Sequence, residues 1–169
     1  MAGCFLEGLS SLTRLSHRPL AREEIDTGAL VRGVANELLP DPAMRRVELV
    51  IGPLPACRAD AEMLRHVYLN VLSNALKFTR TGDQARTTVG ATDEGGETVY
   101  SVTDNGIGFP SEDAGQLFDD FARLHDEREY EGTGIGLALV RRIVERHGGC
   151  VRTEGEVDRG MTVPFTLGP

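Results

Sequence analysis

The sequence predicts an α+β fold, a two-layer sandwich in which a mixed sheet lies under one layer of helices. Three observations predict it. Segments near 60–78 and 134–147 carry apolar residues at helical spacing. Short β-type runs at 86–92, 97–104, 150–156 and 161–167 are punctuated by glycine turns. The 169 residues, 40% of them hydrophobic, suffice for one compact core that buries roughly 70% of the unfolded surface without disulfides or a structural metal.

Taken in order, residues 4–16 place Phe5, Leu9, Leu12 and Ser16 on one helical face, a short amphipathic helix suited to packing on a partner helix and closed by Pro19. Thr27 is the candidate N-cap of a helix over about 28–39, which Pro40-Asp41-Pro42 stops. Arg46–Ile51 reads as a strand and Gly52–Pro55 as a turn, and Asp60 caps the long helix that runs to Phe78. Strands 86–92 and 97–104 join through Glu94-Gly95-Gly96. Residues 109–131 lose periodicity and are rich in Asp, Glu and Arg, the pattern of a lid or binding loop. The helix from Gly134 to His147 ends at Gly148-Gly149, and the two last strands follow.

A net charge of −8 argues against a general nucleic-acid or anionic-membrane binder. Cys4, Cys57 and Cys150 are odd in number and contain no CxxC, which excludes a disulfide framework and fits a reducing compartment, with all three read as small buried or bystander residues. No apolar run approaches the roughly 20 residues that cross a bilayer, and Glu7, Gly8 and Arg14 interrupt the only candidate leader. These features predict a cytoplasmic chain with no direct membrane insertion and no nucleic-acid partner.

On the 60–78 helix, Val67, Phe78, Val71, Leu64, Ala75, Tyr68, Leu72, Leu76 and Leu69 fill a wide apolar arc. The narrow remainder holds Asn70, Asn74 and Lys77, flanked by Ser73 and His66. Asparagine is a poor residue inside a helix because its amide competes for the backbone. The strip is either an ordinary solvated face or a binding strip. In the second case an amide oxygen can ligate a hard cation such as Mg²⁺, and an ammonium can neutralise phosphate. Lys77 is the only lysine among 18 basic residues. His66 reads as solvent-facing.

Asp104-Asn105-Gly106-Ile107-Gly108 follows a strand, so its glycines allow a sharp turn and close approach to a ligand. An aspartate there can accept a hydrogen bond from the exocyclic amine of adenine, worth ~1.5–3 kcal/mol, whereas guanine offers a carbonyl that it would repel. The same string also suits a simple turn after an edge strand. Gly132-Thr133-Gly134-Ile135-Gly136-Leu137 opens a helix, whose unpaired N–H groups and dipole make an anion site. Position 137 is leucine, which disfavours a dinucleotide fold, and no GxxxxGK[ST] occurs.

Together and in this order, NVLSNALKFT (70–79), DNGIGF (104–109), LFDDFARLH (117–125) and EGTGIGLALVRRIVERHGG (131–149) resemble the ATP-binding domain of sensor histidine kinases. That domain lies within the wider Bergerat-fold family, which also holds gyrase-type and chaperone-type ATPases. The resemblance covers about 46–167, and the lid with the second glycine box looks most like phytochrome-type kinases. It implies a Bergerat-fold sandwich with a long ATP lid. The stretch FLEGLSSLTRLSHRPLAREEIDTGALV is similar to the end of a dimerisation helix and its linker, so the division implied is 1–26 for that remnant and 27–169 for the catalytic domain.

By the same resemblance, Asn74 would hold Mg²⁺, with Asn70 and Lys77 touching phosphates. Asp104 would read adenine in a pocket shaped by Gly106 and Gly108 and bordered by Phe78. Phe118 and Phe121 would pack the lid, and Arg123 would reach the γ-phosphate. Gly132, Thr133, Gly134, Ile135, Gly136 and Leu137 would offer backbone N–H groups. Asn70, Lys77 and Arg123 are the catalytic set so implied. In the ATPase branches the position of Asn70 is typically a glutamate that activates water, a task an amide cannot perform. ATP and Mg²⁺ are the implied cofactors. The implied partners are a dimerisation or histidine-phosphotransfer domain and the receiver domain of a response regulator.

Two departures stand out. Gly160-Met161-Thr162 places methionine where relatives often have threonine, and Pro164 is awkward in a strand unless it meets an edge. No acceptor-histidine box of the HELRTP or HDLRNP kind occurs, so the expected acceptor is a histidine supplied by another domain. The alternatives are a serine kinase of the anti-sigma-factor type and a non-catalytic ATP-sensing or docking module of the same fold.

Overall fold

The computed structural model describes residues 19–40, 47–79, 84–119 and 135–169. The helix expected over 4–16 lies outside them, as do Phe121, Arg123, Gly132, Thr133 and Gly134. The elements are β1 (Glu23–Ile25), α1 (Thr27–Leu38), β2 (Glu48–Ile51), β3 (Cys57–Ala59), α2 (Ala61–Thr79), β4 (Arg86–Glu94), β5 (Glu97–Asp104), α3 (Gly136–Arg146), β6 (Glu154–Glu156) and β7 (Gly160–Thr166), with two 3₁₀ turns at Ser111–Asp113 and Gln116–Phe118.

The main sheet has the order β2-β4-β5-β7-β6, and only its β2–β4 pair is parallel. This is the mixed sheet the sequence predicts. The helices cover one face: Val31 and Val34 of α1, Leu64, Val67, Tyr68 and Val71 of α2, and Val140, Ile143 and Val144 of α3 pack on Val89, Tyr100, Val102, Val163 and Phe165 of the strands. Tyr68 meets Phe165 edge-on and Tyr100 stacks on the same ring. Leu69, at the margin of the apolar arc, and Phe78, in the last turn of α2, are only half-buried.

The turn at 95–96 joins β4 to β5 in full register, Glu94 opposite Glu97. Pro164 sits in β7 between β5 and β6, and its carbonyl accepts from Arg152 N at 3.0 Å. A strand residue's nitrogen and carbonyl point the same way. The missing N–H therefore faces the side where β6 has ended and only the Val151–Phe165 bridge remains.

The structure corrects one cap. Asp26, and not Thr27, caps α1, its Oδ1 accepting from Ala29 N at 2.8 Å, while Thr27 is the first helical residue and is buried. Asp60 caps α2 as expected, its Oδ1 accepting from Met63 N at 3.1 Å. The long helix runs one residue past Phe78 to Thr79, and α3 begins at Gly136. A two-stranded antiparallel sheet, β1 with β3, was not foreseen.

These features converge in a clamp at one end of the helix pair. His147, fully buried, donates from Nδ1 to Ile143 O at 2.8 Å and accepts at Nε2 from Asp60 N at 3.0 Å. Asp60 Oδ2 accepts from Ala21 N at 3.1 Å. Arg22 donates to His147 O at 2.7 Å and to Gly168 O at 3.1 Å. The start of α2, the end of α3 and the β1 segment are thus tied together, which fixes how the opposite half of α2 faces the start of α3.

Candidate nucleotide site

The polar strip of α2 lies opposite the first turn of α3. Asn70, Ser73, Asn74 and Lys77 are half-buried while the rest of the turn packs inward. Asn70 spends its amide nitrogen on His66 O at 2.8 Å. Its oxygen is thereby turned toward α3, where a Cβ on Gly136 would stand 2.8 Å from it. A side chain at 136 would push the strip and the helix start apart. Ile135 precedes α3 without a side-chain cap, so among the described residues no capping side chain answers the first-turn N–H groups, and the helix dipole adds positive potential there. Leu137 and Ile135 are buried, so what they offer the strip is backbone. Lys77 lies beside the strip with its Nζ 4.6 Å from the centre of the Phe78 ring. His66, expected at solvent, is half-buried, and burial pushes its pKa down, with the charge of Arg65 adding to the effect.

The DNGIG turn is woven between three elements. Asn105 closes the end of the β4–β5 ladder, its Oδ1 accepting from Arg86 N and its Nδ2 donating to Gln84 O, each at 2.8 Å. Ile107 donates from its backbone to Phe78 O at 3.3 Å and accepts from Asp158 N at 2.8 Å. A side chain at Gly106 would overlap the Phe78 carbonyl. Gly108 has φ +61° and lies on the Glu156 carbonyl, so both its conformation and its space demand glycine.

Asp104 is only 5% exposed at the floor of this corner. Its Oδ1 accepts from Gly106 N at 2.9 Å, and the Met161 backbone supplies a second bond. Burial raises its pKa from 3.8 to about 6 against the lowering effect of those two bonds. A carboxylate so buried, with acceptor capacity left over, is suited to a neutral donor such as an exocyclic amine. Gly160, with φ +91°, packs on the Asp104 carbonyl and brings the β6–β7 hairpin against the floor. Phe118 is buried against α3, and Thr153 Oγ1 donates to Ala114 O at 3.1 Å, which pins the beginning of the acidic segment after the turn.

The structure therefore brings Asn70, Asn74, Lys77, Phe78, Asp104, Gly106, Gly108, Ile135, Gly136 and Leu137 to one side of the molecule, with Phe118 beside them. Arg123, Gly132, Thr133 and Gly134 lie outside the described residues. Sequence reading missed Thr87, a buried hydroxyl opposite Asp104 that only strand register reveals. Cys57 is half-buried and Cys150 exposed. Among the described residues no group of three or more His, Cys, Asp or Glu side chains forms a metal cage, and no helix is long and apolar enough to cross a membrane.

Comparison with known proteins places this geometry among relatives. Residues 59–169 match the family described as histidine kinase-, DNA gyrase B-, and HSP90-like ATPase. Cyanobacterial phytochrome A of Nostoc sp. is 33% identical over 96% of this chain and 22% of its own length. The circadian input-output histidine kinase CikA of Synechococcus elongatus is 42% identical over 65% of this chain and 14% of its own. The chain thus spans about a fifth or less of these two curated relatives. Among solved structures, full-length ShkA in complex with AMPPNP superposes with a TM-score of 0.78 at 30% identity, covering 96% of this chain and 35% of that one. The mycobacterial sensor histidine kinase MprB, at 24% identity and TM-score 0.73, shares the fold over 87% of this chain and 97% of its own.

Proposed function

The chain belongs to the histidine kinase-, DNA gyrase B- and HSP90-like ATPase family, as the ATP-binding catalytic domain of a sensor histidine kinase, and from that premise we propose that it donates the γ-phosphoryl group of Mg·ATP to a histidine of a dimerisation domain. Asp104 accepts from the adenine amine, Lys77 and the first turn of α3 neutralise phosphate oxygens, and Arg123 reaches the γ-phosphate. Gly132, Thr133 and Gly134 extend the phosphate-binding backbone. In the transfer the bond from the γ-phosphorus to its bridging oxygen breaks, a phosphorus–nitrogen bond forms on the acceptor imidazole, and ADP leaves. Such a transfer needs mainly positioning and charge neutralisation.

The residues fit Mg²⁺. This ion keeps several waters and substrate phosphates and takes few protein ligands, so it needs an amide oxygen and not a carboxylate cage. Asn74 would hold it, with Asn70 and Lys77 beside the phosphates. Bound there, Mg²⁺ would neutralise charge developing on the phosphates.

The observation that carries transfer over hydrolysis is Asn70. Its nitrogen is engaged by His66 O, and an amide has no basic site with which to activate water. We also assign residues 1–26 to the end of a dimerisation helix and its linker, the last linker residues being held against the catalytic domain through Ala21, Arg22 and β1, and 27–169 to the catalytic domain, with a response regulator receiver downstream and a cytoplasmic location where ATP is available. The similarity to phytochrome A and to ShkA in complex with AMPPNP supports this reading.

Incubating the chain with γ-labelled ATP and a separately supplied dimerisation domain tests the proposal. Acid-labile, base-stable label on that domain is the expected result. Acid-stable label would favour a serine kinase of the anti-sigma-factor type. ATP binding with no label on any acceptor would favour a non-catalytic ATP-sensing module.

A further inference from the structure

Thr87 lies on β4 directly opposite Asp104 of β5. The neighbouring pair, Arg86 and Asn105, is hydrogen-bonded, Asn105 N donating to Arg86 O at 3.2 Å. Thr87 and Asp104 therefore form the non-hydrogen-bonded kind of pair, in which side chains approach most closely and share a face. Thr87 is 0% exposed, and its Oγ1 has no hydrogen-bond partner among the described residues. Buried hydroxyls are rarely left so, and those that are usually meet an ordered water or a ligand. On the other side of Asp104 stands Met161, which offers its backbone and no side-chain donor.

We propose that Thr87 is a positioning residue for the base-reading carboxylate: its hydroxyl donates to a water shared with Asp104, which keeps that carboxylate ionised and aimed at the adenine amine. The inference rests on the reading of Asp104 as the adenine contact. A donor supplied to the carboxylate favours its charged form. The groups facing Asp104 add little competing charge. α2 presents the Phe78 carbonyl, and Thr79 of the same turn gives its hydroxyl to Ala75 O at 2.8 Å. β7 presents Met161, and Arg86, the next residue on β4, is paired with Glu48 on β2 at 3.0 Å. Lys77 lies over the Phe78 ring.

The test is ATP affinity as a function of pH, by calorimetry, for the whole chain and for Thr87→Val, Thr87→Ser, Thr87→Ala and Asp104→Asn. Thr87→Val should fold, since it removes a hydroxyl that the protein does not pair, and should weaken ATP about 5–10-fold near neutrality. The acid limb of the affinity profile should move to higher pH in Thr87→Val and Thr87→Ala and stay in place in Thr87→Ser. Serine and alanine leave similar space, so their difference isolates the hydroxyl should the valine variant fail to fold. A profile identical in Ser, Ala and wild type, with Asp104→Asn still losing ATP, overturns this inference alone. ATP affinity unchanged in Asp104→Asn overturns the reading beneath it.

Discussion

At the end of the helix pair where α3 stops, His147 is fully buried and both its ring nitrogens are engaged, one by Ile143 O and one by Asp60 N. At the nucleotide end, Asp104 is almost as buried, yet among the described residues it meets only two backbone donors, and Thr87 beside it meets none. The clamp spends its polar groups on the protein and leaves nothing over. The base corner keeps capacity in reserve and holds it at a cost, since burial drives the Asp104 carboxyl up to about 6. Buried polar groups of one kind make architecture. On the proposed reading, Asp104 and Thr87 keep theirs for a ligand.

Substitutions should separate the two regions. The largest effect belongs to the backbone that builds the base corner. Gly160→Ala forces a side chain onto the Asp104 carbonyl at φ +91°, and urea denaturation should show a loss of about 4 kcal/mol or more. If stability is unchanged, the hairpin does not seal the corner.

Next comes the pH dependence of Asp104. A carboxyl raised from 3.8 to about 6 in the folded state contributes stability that is fully present below 3.8 and is lost as pH rises through about 6. The stability of wild type relative to Asp104→Asn should therefore fall by roughly 3 kcal/mol between pH 3.5 and 7. A flat difference would mean that the carboxyl is not held at a cost.

His147 should behave in the opposite sense. Burial lowers its pKa below 6.5, so its contribution is present above that value and is lost as pH falls through the lowered one. His147→Leu leaves Asp60 N without its acceptor and should cost about 2–3 kcal/mol in urea, with the affinity of the folded protein for ATP unchanged. An equal loss of ATP affinity would show that the clamp and the site are one unit.

The smallest effect should come from Arg22→Ala. Loss of its bonds to His147 O and Gly168 O should cost about 1 kcal/mol and speed amide exchange in β1 and the last turn of α3 while sparing the base corner.

Much of the site was legible because its signals are local. Asn70, Asn74 and Lys77 share a strip at helical period, and the DNGIG string sits at the end of an alternating run. The α2 cap at Asp60 was legible for the same reason. Three things were not. β1 and β3 span three residues each, too short to show a period, and they pair across more than thirty residues of chain. Asp26 and Thr27 are both good caps, and the choice fell to Asp26 because Thr27 is drawn inward, where its hydroxyl meets Cys57 Sγ at 3.4 Å. The Thr87–Asp104 pairing and the His147–Asp60 bond depend on register and packing, which composition does not encode locally.

On the proposed reading, Asp104 reads the adenine of ATP from a corner built in advance. Titrating Mg·ATP and Mg·GTP into the chain and into Asp104→Asn by calorimetry tests it most directly. Wild type should bind ATP and strongly disfavour GTP, and Asp104→Asn should bind ATP ~10–100-fold more weakly, the worth of one charge-assisted bond. Equal affinity for the two nucleotides, or an Asp104→Asn variant that binds ATP as wild type does, would contradict it.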